Sequence, residues 1–282
     1  MADLAGKNFI VTGANTGIGK VTATELARRG AHVLLANRSK EKSQDVIAEI
    51  TRETGHAPEL VQLDLGDLAS VRRAAEEILA KDLPIHGLIN NAGLPGQRGR
   101  STKDGFELAF GTNHLGHYLF TRLLLDRLVA TPGARIVNVA SGSHYQAKRI
   151  DWATLREPTH SLVGLREYEV SKLANVLFTK ELARQLANTG VTVYAVHPGR
   201  VATDAWRRIP APLRWAFKRT MLTPVEGARS TLRAATDPAL AAETGRYYTA
   251  DGSERPPSRL ALDADLAVEL WRRSAEWTGL PV

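Results

Sequence analysis

The 282-residue chain reads as an α/β protein with one doubly wound parallel sheet of about seven strands and helices on both faces. Three observations point there. Short β-branched runs alternate with helix-length amphipathic segments along the whole chain, the pattern of repeated βαβ units. Those runs are apolar almost throughout rather than at every second residue, as expected when helices cover both faces of a sheet. Three glycines also fill the first strand–helix turn, beside which such a sheet keeps its ligand cleft.

The elements follow in order. NFIVT (Asn8–Thr12) is the first strand and Val21–Arg29 the first helix. HVLLA (His32–Ala36) leads into a helix over Lys40–Glu53, and ELVQL (Glu59–Leu63) into one over Leu68–Ala80. GLIN (Gly87–Asn90) precedes a long helical segment, Phe106–Val129. RIVNVA (Arg135–Ala140) precedes Tyr168–Asn188, and VTVYAVH (Val191–His197) precedes Pro224–Ala235. GRYYT (Gly245–Thr249) and a closing helix over Ala264–Thr278 complete the pattern. No linker or repeat divides it, so residues 1–282 are expected to form one domain.

Composition narrows the chemistry. With no cysteine, disulfides, zinc–thiolate sites, iron–sulfur clusters and cysteine nucleophiles are excluded, and a reducing compartment suits the chain. It opens Met-Ala-Asp without a basic, apolar leader, and no apolar run reaches the ~18 residues of a membrane helix. The expectation is a cytoplasmic protein with no transmembrane segment. Thirty-seven Lys and Arg against 30 Asp and Glu give a net charge of +7. Thr203–Leu222 and Gly96–Lys103 together carry all of that surplus. No nucleic-acid-binding motif accompanies it, so no nucleic-acid partner is expected. The sharper expectation is a positive rim that steers an anionic ligand toward a cleft.

The first turn, Thr12-Gly13-Ala14-Asn15-Thr16-Gly17-Ile18-Gly19, has the place of a phosphate cradle in a Rossmann-type sheet. Glycines there permit a tight turn and close approach of backbone to a pyrophosphate at a helix N-terminus. The spacing is GxxxGxG rather than GxGxxG. The second strand ends Ala36-Asn37-Arg38, with no carboxylate at Asn37 or Ser39. An acid would repel a ribose 2′-phosphate, whereas a guanidinium binds it in a fork. Arg38 therefore points to NADP(H). Lys20 adds to this only if it faces the ligand.

Tyr168 and Lys172 are four residues apart and share a helix face, about 5–6 Å from one another. A free phenol titrates near 10. A cation ~5 Å away contributes on the order of 3 kcal/mol, or about two pKa units. Such a pair could serve as a general acid or base near neutral pH, or be an exposed Tyr beside an exposed Lys; the spacing alone does not choose the first.

Together these motifs resemble those of the short-chain dehydrogenase/reductase family. TGxxxGIG stands at Thr12–Gly19, NNAG at Asn90-Asn91-Ala92-Gly93, Asn113 in the next helix, Ser141 after the fifth strand, YxxxK at Tyr168–Lys172, and Pro198-Gly199 after the sixth. The likeness runs from Asn8 to the closing helix. It implies a catalytic Asn113–Ser141–Tyr168–Lys172 tetrad. Ser141 would hold the substrate oxygen, Lys172 reach the nicotinamide ribose, and Asn113 position a relay water. It also implies cofactor contacts at Gly13, Asn15, Thr16, Gly17, Ile18 and Gly19, at Asp64 and Leu65 beside the adenine, at Asn91, Ala92 and Gly93, and at Tyr168 and Lys172 themselves. Pro198, Gly199, Val201 and Thr203 would flank the nicotinamide, with the Val201 backbone on its carboxamide.

Ser141 and Tyr168 lie 27 residues apart, wider than the dozen or so the resemblance leads one to expect. The extra stretch, around 144–166, is similar to an insert of retinol dehydrogenase-like members, as are SKLANVLFTKELAR (Ser171–Arg184) and WRRSAEWTGL (Trp271–Leu280). That branch implies lipophilic carbonyl or alcohol substrates and a substrate lid, here around 203–222. Many of its members carry an N-terminal anchor, and this chain is not expected to. The function implied is NADPH-dependent reduction of a ketone or aldehyde of a hydrophobic small molecule, or oxidation of the corresponding alcohol. The alternative is a non-catalytic NADP(H)-sensing or scaffold protein on the same fold. A homo-oligomer is a further expectation from the resemblance.

Four histidines need a reading. His114 and His117, at i and i+3, are near enough to share a metal. No third ligand is evident, so packing or hydrogen bonding is expected and no metal site. His144 and His160, in the insert, are expected in a surface loop.

Overall fold

The computed structural model describes residues 4–201 and 221–282. Seven parallel strands, β1 (Asn8–Thr12), β2 (His32–Asn37), β3 (Glu59–Gln62), β4 (Gly87–Asn90), β5 (Arg135–Val139), β6 (Thr192–Val196) and β7 (Arg246–Tyr248), form one sheet. Their order is β3-β2-β1-β4-β5-β6-β7. The chain leaves β1 toward one edge and returns on its other side at β4. The crevice at that reversal, past the carboxyl ends of the strands, is where such sheets bind ligands.

Alternate residues of each strand feed two layers. Phe9 and Val11 of β1 join a core with Leu26 of α1 (Gly17–Arg28), Val46 and Ile50 of α2 (Lys40–Thr54) and Ala234 of α8 (Pro224–Thr236). Ile10 faces the other layer. There it meets Val71 of α3 (Leu68–Ala80), Leu119 of α5 (Gly116–Leu123), Leu182 of α7 (Leu165–Gln185) and Trp271 of α9 (Ala264–Thr278). Because both faces are covered, the strands needed to be apolar on both sides. Among the described residues no helix is long and apolar enough to cross a membrane.

Two elements differ from the periodic reading. The helix expected over Phe106–Val129 is broken into α4 (Leu108–Phe110), a π turn (Gly111–Leu115), α5, and α6 (Leu125–Val129). Glycines bracket the π turn because space is lacking: a Cβ at Gly111 would strike the Thr102 side chain, and one at Gly116 the Leu65 carbonyl. Apolar spacing does not register the one extra residue per turn, and such turns cluster at functional sites. Helix α7 also starts earlier than expected, at Leu165, behind Gly164 in the left-handed region (φ 67°). A Cβ there would run into the Gly96 backbone. The insert is thus pinned to the loop after β4, and Thr159 adds a 2.5 Å hydrogen bond to buried Glu107.

Candidate active site

The glycine turn is packed from below. Gly13 (φ 65°) and Gly17 (φ 57°) take left-handed backbone, and a Cβ on Gly13 would come 2.8 Å from that of Ala92. One on Gly19 would strike the Asn91 amide and lie 2.5 Å from the Gly13 carbonyl. Backbone N–H groups of Asn91 and Ala92 donate to Thr12 Oγ1 at 2.9 and 3.0 Å. The Asn91 amide donates back to the Thr12 carbonyl at 2.8 Å, so NNAG and TGxxxGIG form one unit. Ala14 N–H donates to Asn37 Oδ1 at 2.7 Å, and the other end of that buried amide donates to Ser43. Asn37 thus shapes the cradle, a role hidden in a sequence that showed only the absence of a carboxylate.

His117 belongs to the same unit. Its Nδ1–H donates to the Asn113 carbonyl at 2.9 Å, leaving Nε2 to accept from the Thr12 hydroxyl at 2.8 Å. His114 sits among Phe110, Tyr118 and Phe178, 3.0 Å from Ser274 Oγ. Both rings pack and hydrogen-bond, and among the described residues no group of acids and histidines could hold a metal. Burial pushes His114 down to about 3 and His117 to about 4. The unfolded chain therefore takes up protons near pH 6.5 that the folded chain refuses. Stability from these rings is intact above that pH and is lost as pH falls toward 4. In urea unfolding between pH 6.5 and 4.5, His114→Phe should flatten this fall by about one proton, roughly 1.4 kcal/mol per pH unit. An unchanged slope would contradict it.

At the carboxyl edge of β2, Arg38 is exposed and meets no acidic partner among the described residues. Lys20 instead pairs with Glu49 of α2 at 2.6 Å, away from the cradle. Asp64 accepts from Gly66 N–H at 2.9 Å in a turn past β3, beside buried Leu65.

The four tetrad residues converge past β5. Asn113 lies in the π turn, fully buried; its Oδ1 accepts from Leu94 N–H, and its Nδ2 donates to the Leu94 carbonyl and to Ser171 Oγ, all at 2.9 Å. Lys172 Nζ donates to the Val139 carbonyl at 2.8 Å and lies 5.5 Å from the centre of the Tyr168 ring. Gly93 is beside it: a Cβ there would be 3.2 Å from Nζ. Ser141 caps a short turn, accepting from Ser143 N–H at 3.1 Å, and its side chain is close enough to the Tyr168 phenol to favour the phenolate.

The electrostatics differ from the expectation for Tyr168. Burial pushes the phenol up, opposed by the nearby Ser141 side chain, rather than Lys172 drawing it down. The ammonium is itself desolvated and falls to about 8, so it remains mostly protonated at pH 7.

Beyond β6, Pro198 is buried and Gly199 takes φ 85°. Val201 is buried, and a Cβ on Gly227 would contact both Val201 and Ile18, so the ends of the β1 and β6 turns meet. Thr203 and the segment through Thr220, where a substrate lid is expected, lie outside the described residues. Of the basic rim, Arg98 and Arg100 are exposed, while Lys103 pairs with Asp67 at 2.9 Å. His160 is exposed and pairs with Glu157, as expected. His144 is not in a surface loop: it is fully buried, bridging the Ser141 carbonyl (2.7 Å) and Ser258 N–H (3.0 Å). Local polarity conceals this, because the closing contact comes from 114 residues away. His197, next to Gly142, escaped the sequence reading for the same reason.

A cradle that only glycine fits, an exposed guanidinium after the second strand and a buried lysine at the reversal point suit an NAD(P) dinucleotide. Residues 7–153 and 158–213 match the family model described as short chain dehydrogenase. The chain is 44% identical over 282 residues to retinol dehydrogenase 11 of Homo sapiens, covering 99% of this chain and 88% of that one. Among solved structures, an uncharacterized protein from Mycobacterium paratuberculosis superposes with a TM-score of 0.79 at 35% identity, covering 100% and 97% of the two chains. A Beutenbergia cavernae protein assigned as an NAD(P) dependent gluconate 5-dehydrogenase, with bound NADP, gives 0.72 at 29% identity over 89% and 97%.

Proposed function

The chain belongs to the short-chain dehydrogenase family, and on that premise we propose that it reduces a ketone or aldehyde of a hydrophobic small molecule with NADPH, or oxidises the corresponding alcohol with NADP⁺. The observation that carries this reading is the convergence of Ser141, Tyr168, Lys172 and Asn113 beside the glycine cradle. Exposed Arg38, with no acidic partner among the described residues, supports the phosphorylated cofactor. Exposed Leu162 and Val163, just ahead of the Tyr168 helix, and Leu165 at its first position support an apolar substrate, as does the likeness to a retinol dehydrogenase.

In this reading Gly13, Asn15, Thr16, Gly17, Ile18 and Gly19 cradle the pyrophosphate and Arg38 forks the 2′-phosphate. Asp64 and Leu65 flank the adenine. Asn91, Ala92 and Gly93, with Pro198, Gly199, Val201 and Thr203, flank the nicotinamide. When bound, the cofactor supplies hydride chemistry at its nicotinamide ring. The chain's own residues do the rest. Ser141 and Tyr168 hydroxyls donate to the carbonyl oxygen and fix the carbonyl carbon in place. As negative charge grows on that oxygen, Tyr168 transfers its proton to it. Lys172 stabilises the phenolate that remains, and its ammonium is the nearest proton source. Asn113, locked between Leu94 and Ser171, holds the backbone behind Lys172 for a relay to solvent.

Oxidation of NADPH and of NADH against hydrophobic ketones and aldehydes, with wild type and Arg38→Glu, tests the reading. Wild type is expected to prefer NADPH. Arg38→Glu should weaken NADPH by about 10- to 100-fold, the loss of a charge-assisted bond, and leave NADH within a few-fold. No turnover of any carbonyl by wild type would overturn the reaction; a preference for NADH would overturn the cofactor.

A further inference from the structure

His197 follows β6 directly. Strand alternation puts it on the face of Ala195, which packs against Leu173, Ala174 and Leu177 of α7, the helix that carries Tyr168 and Lys172. Its Nδ1 accepts the Gly199 N–H at 3.3 Å. Burial, together with the positive charges of Arg200 and Lys172 and a neighbouring His144, holds the ring neutral, with its pKa down at about 4. With Nδ1 used as acceptor, the single proton of the neutral ring sits on Nε2. That N–H meets no acceptor among the described residues. It lies over Gly142, 3.0 Å from where a Cβ would stand, next to Ser141, whose side chain acts on the Tyr168 phenol. The ring is only half-buried, so this donor is reachable from the site.

We propose that His197 is a specificity-determining residue whose Nε2–H donates a hydrogen bond to a second oxygen on the substrate, adjacent to the reacting carbonyl. The substrate class is then a vicinal dicarbonyl or a hydroxyketone with an apolar remainder, in preference to a simple ketone. The inference rests on the proposed carbonyl reduction and names which carbonyls it favours. The physical reason is asymmetric. A hydrocarbon pressed against this N–H strips its water and returns nothing, whereas an oxygen there replaces that water.

The probes are 1-phenyl-1,2-propanedione and propiophenone, which differ by one carbonyl. Each is measured twice, as KM and kcat with NADPH, and as Kd for the protein saturated with NADP⁺. Wild type should bind the diketone more tightly. His197→Phe, which keeps a ring over Gly142 and lacks the donor, should lower the diketone-to-ketone affinity ratio about tenfold, through KM rather than kcat. His197→Gln, which retains an N–H donor, should restore most of it. A ratio unchanged in His197→Phe, or lowered equally in both variants, overturns the inference by assigning the ring a packing role. A shifted binding ratio without reduction of either probe upholds the inference and counts against the proposed reaction.

Discussion

Tyr168→Phe is expected to lower kcat for carbonyl reduction by about 10²- to 10⁴-fold, the range that a positioned proton donor contributes, while Kd for NADPH changes less than about twofold. The substitution removes one oxygen from a half-buried ring and leaves the glycine cradle, Arg38 and Lys172 in place. Steady-state rates beside fluorescence titration of NADPH separate the two effects. Equal losses in both would make Tyr168 a cofactor-binding residue instead. The pH dependence follows from the burial that pushes the phenol up and Lys172 down to about 8. Reduction uses the protonated phenol, so its rate should stay level across neutral pH and fall on the alkaline side. Alcohol oxidation needs the phenolate and should rise over that same alkaline range.

Trp271→Ala is the substitution expected to cost most stability, about 3–5 kcal/mol. Trp271 is 6% exposed. Its ring meets Tyr118 edge-on at 5.2 Å and stacks on Phe178 at 6.1 Å, with the Arg122 guanidinium 4.7 Å above it. Truncation opens a cavity between α9, α7 and α5 and removes the ring beneath that guanidinium, which keeps its hydrogen bonds to Tyr118 and the Pro281 carbonyl. The thermal midpoint should drop by roughly 10 °C, and Trp271→Phe should recover more than half of the loss. A drop of only a degree or two would mean that α9 adds little to the core beneath it.

What the two experiments address was unequally visible in the sequence. The Tyr168–Lys172 pair is a matter of helical spacing, and the cradle one of glycines between a strand and a helix. Both are local, and the structure puts both at the carboxyl edge of the sheet. Trp271 signals only that a helix face is apolar; that it would lie between Tyr118 and Phe178 depends on where the last helix docks. The two cations after the cradle show the same limit. Lys20 and Arg38 read alike as basic residues near a phosphate site, yet Glu49 takes one and, among the described residues, nothing acidic takes the other.

The sequence by itself determined the strand positions, the glycine turn and the spacing of the tetrad, because apolar periodicity, turn conformation and i,i+4 geometry act over a few residues. Tertiary structure alone decided the π turn that presents Asn113 and the burial that shifts Tyr168 and Lys172 in opposite directions. It also decided the surroundings of His144 and His197. Those outcomes depend on desolvation and on partners far away in the chain, as when Ser258 closes on His144. A protein fixes such terms only once its layers have packed.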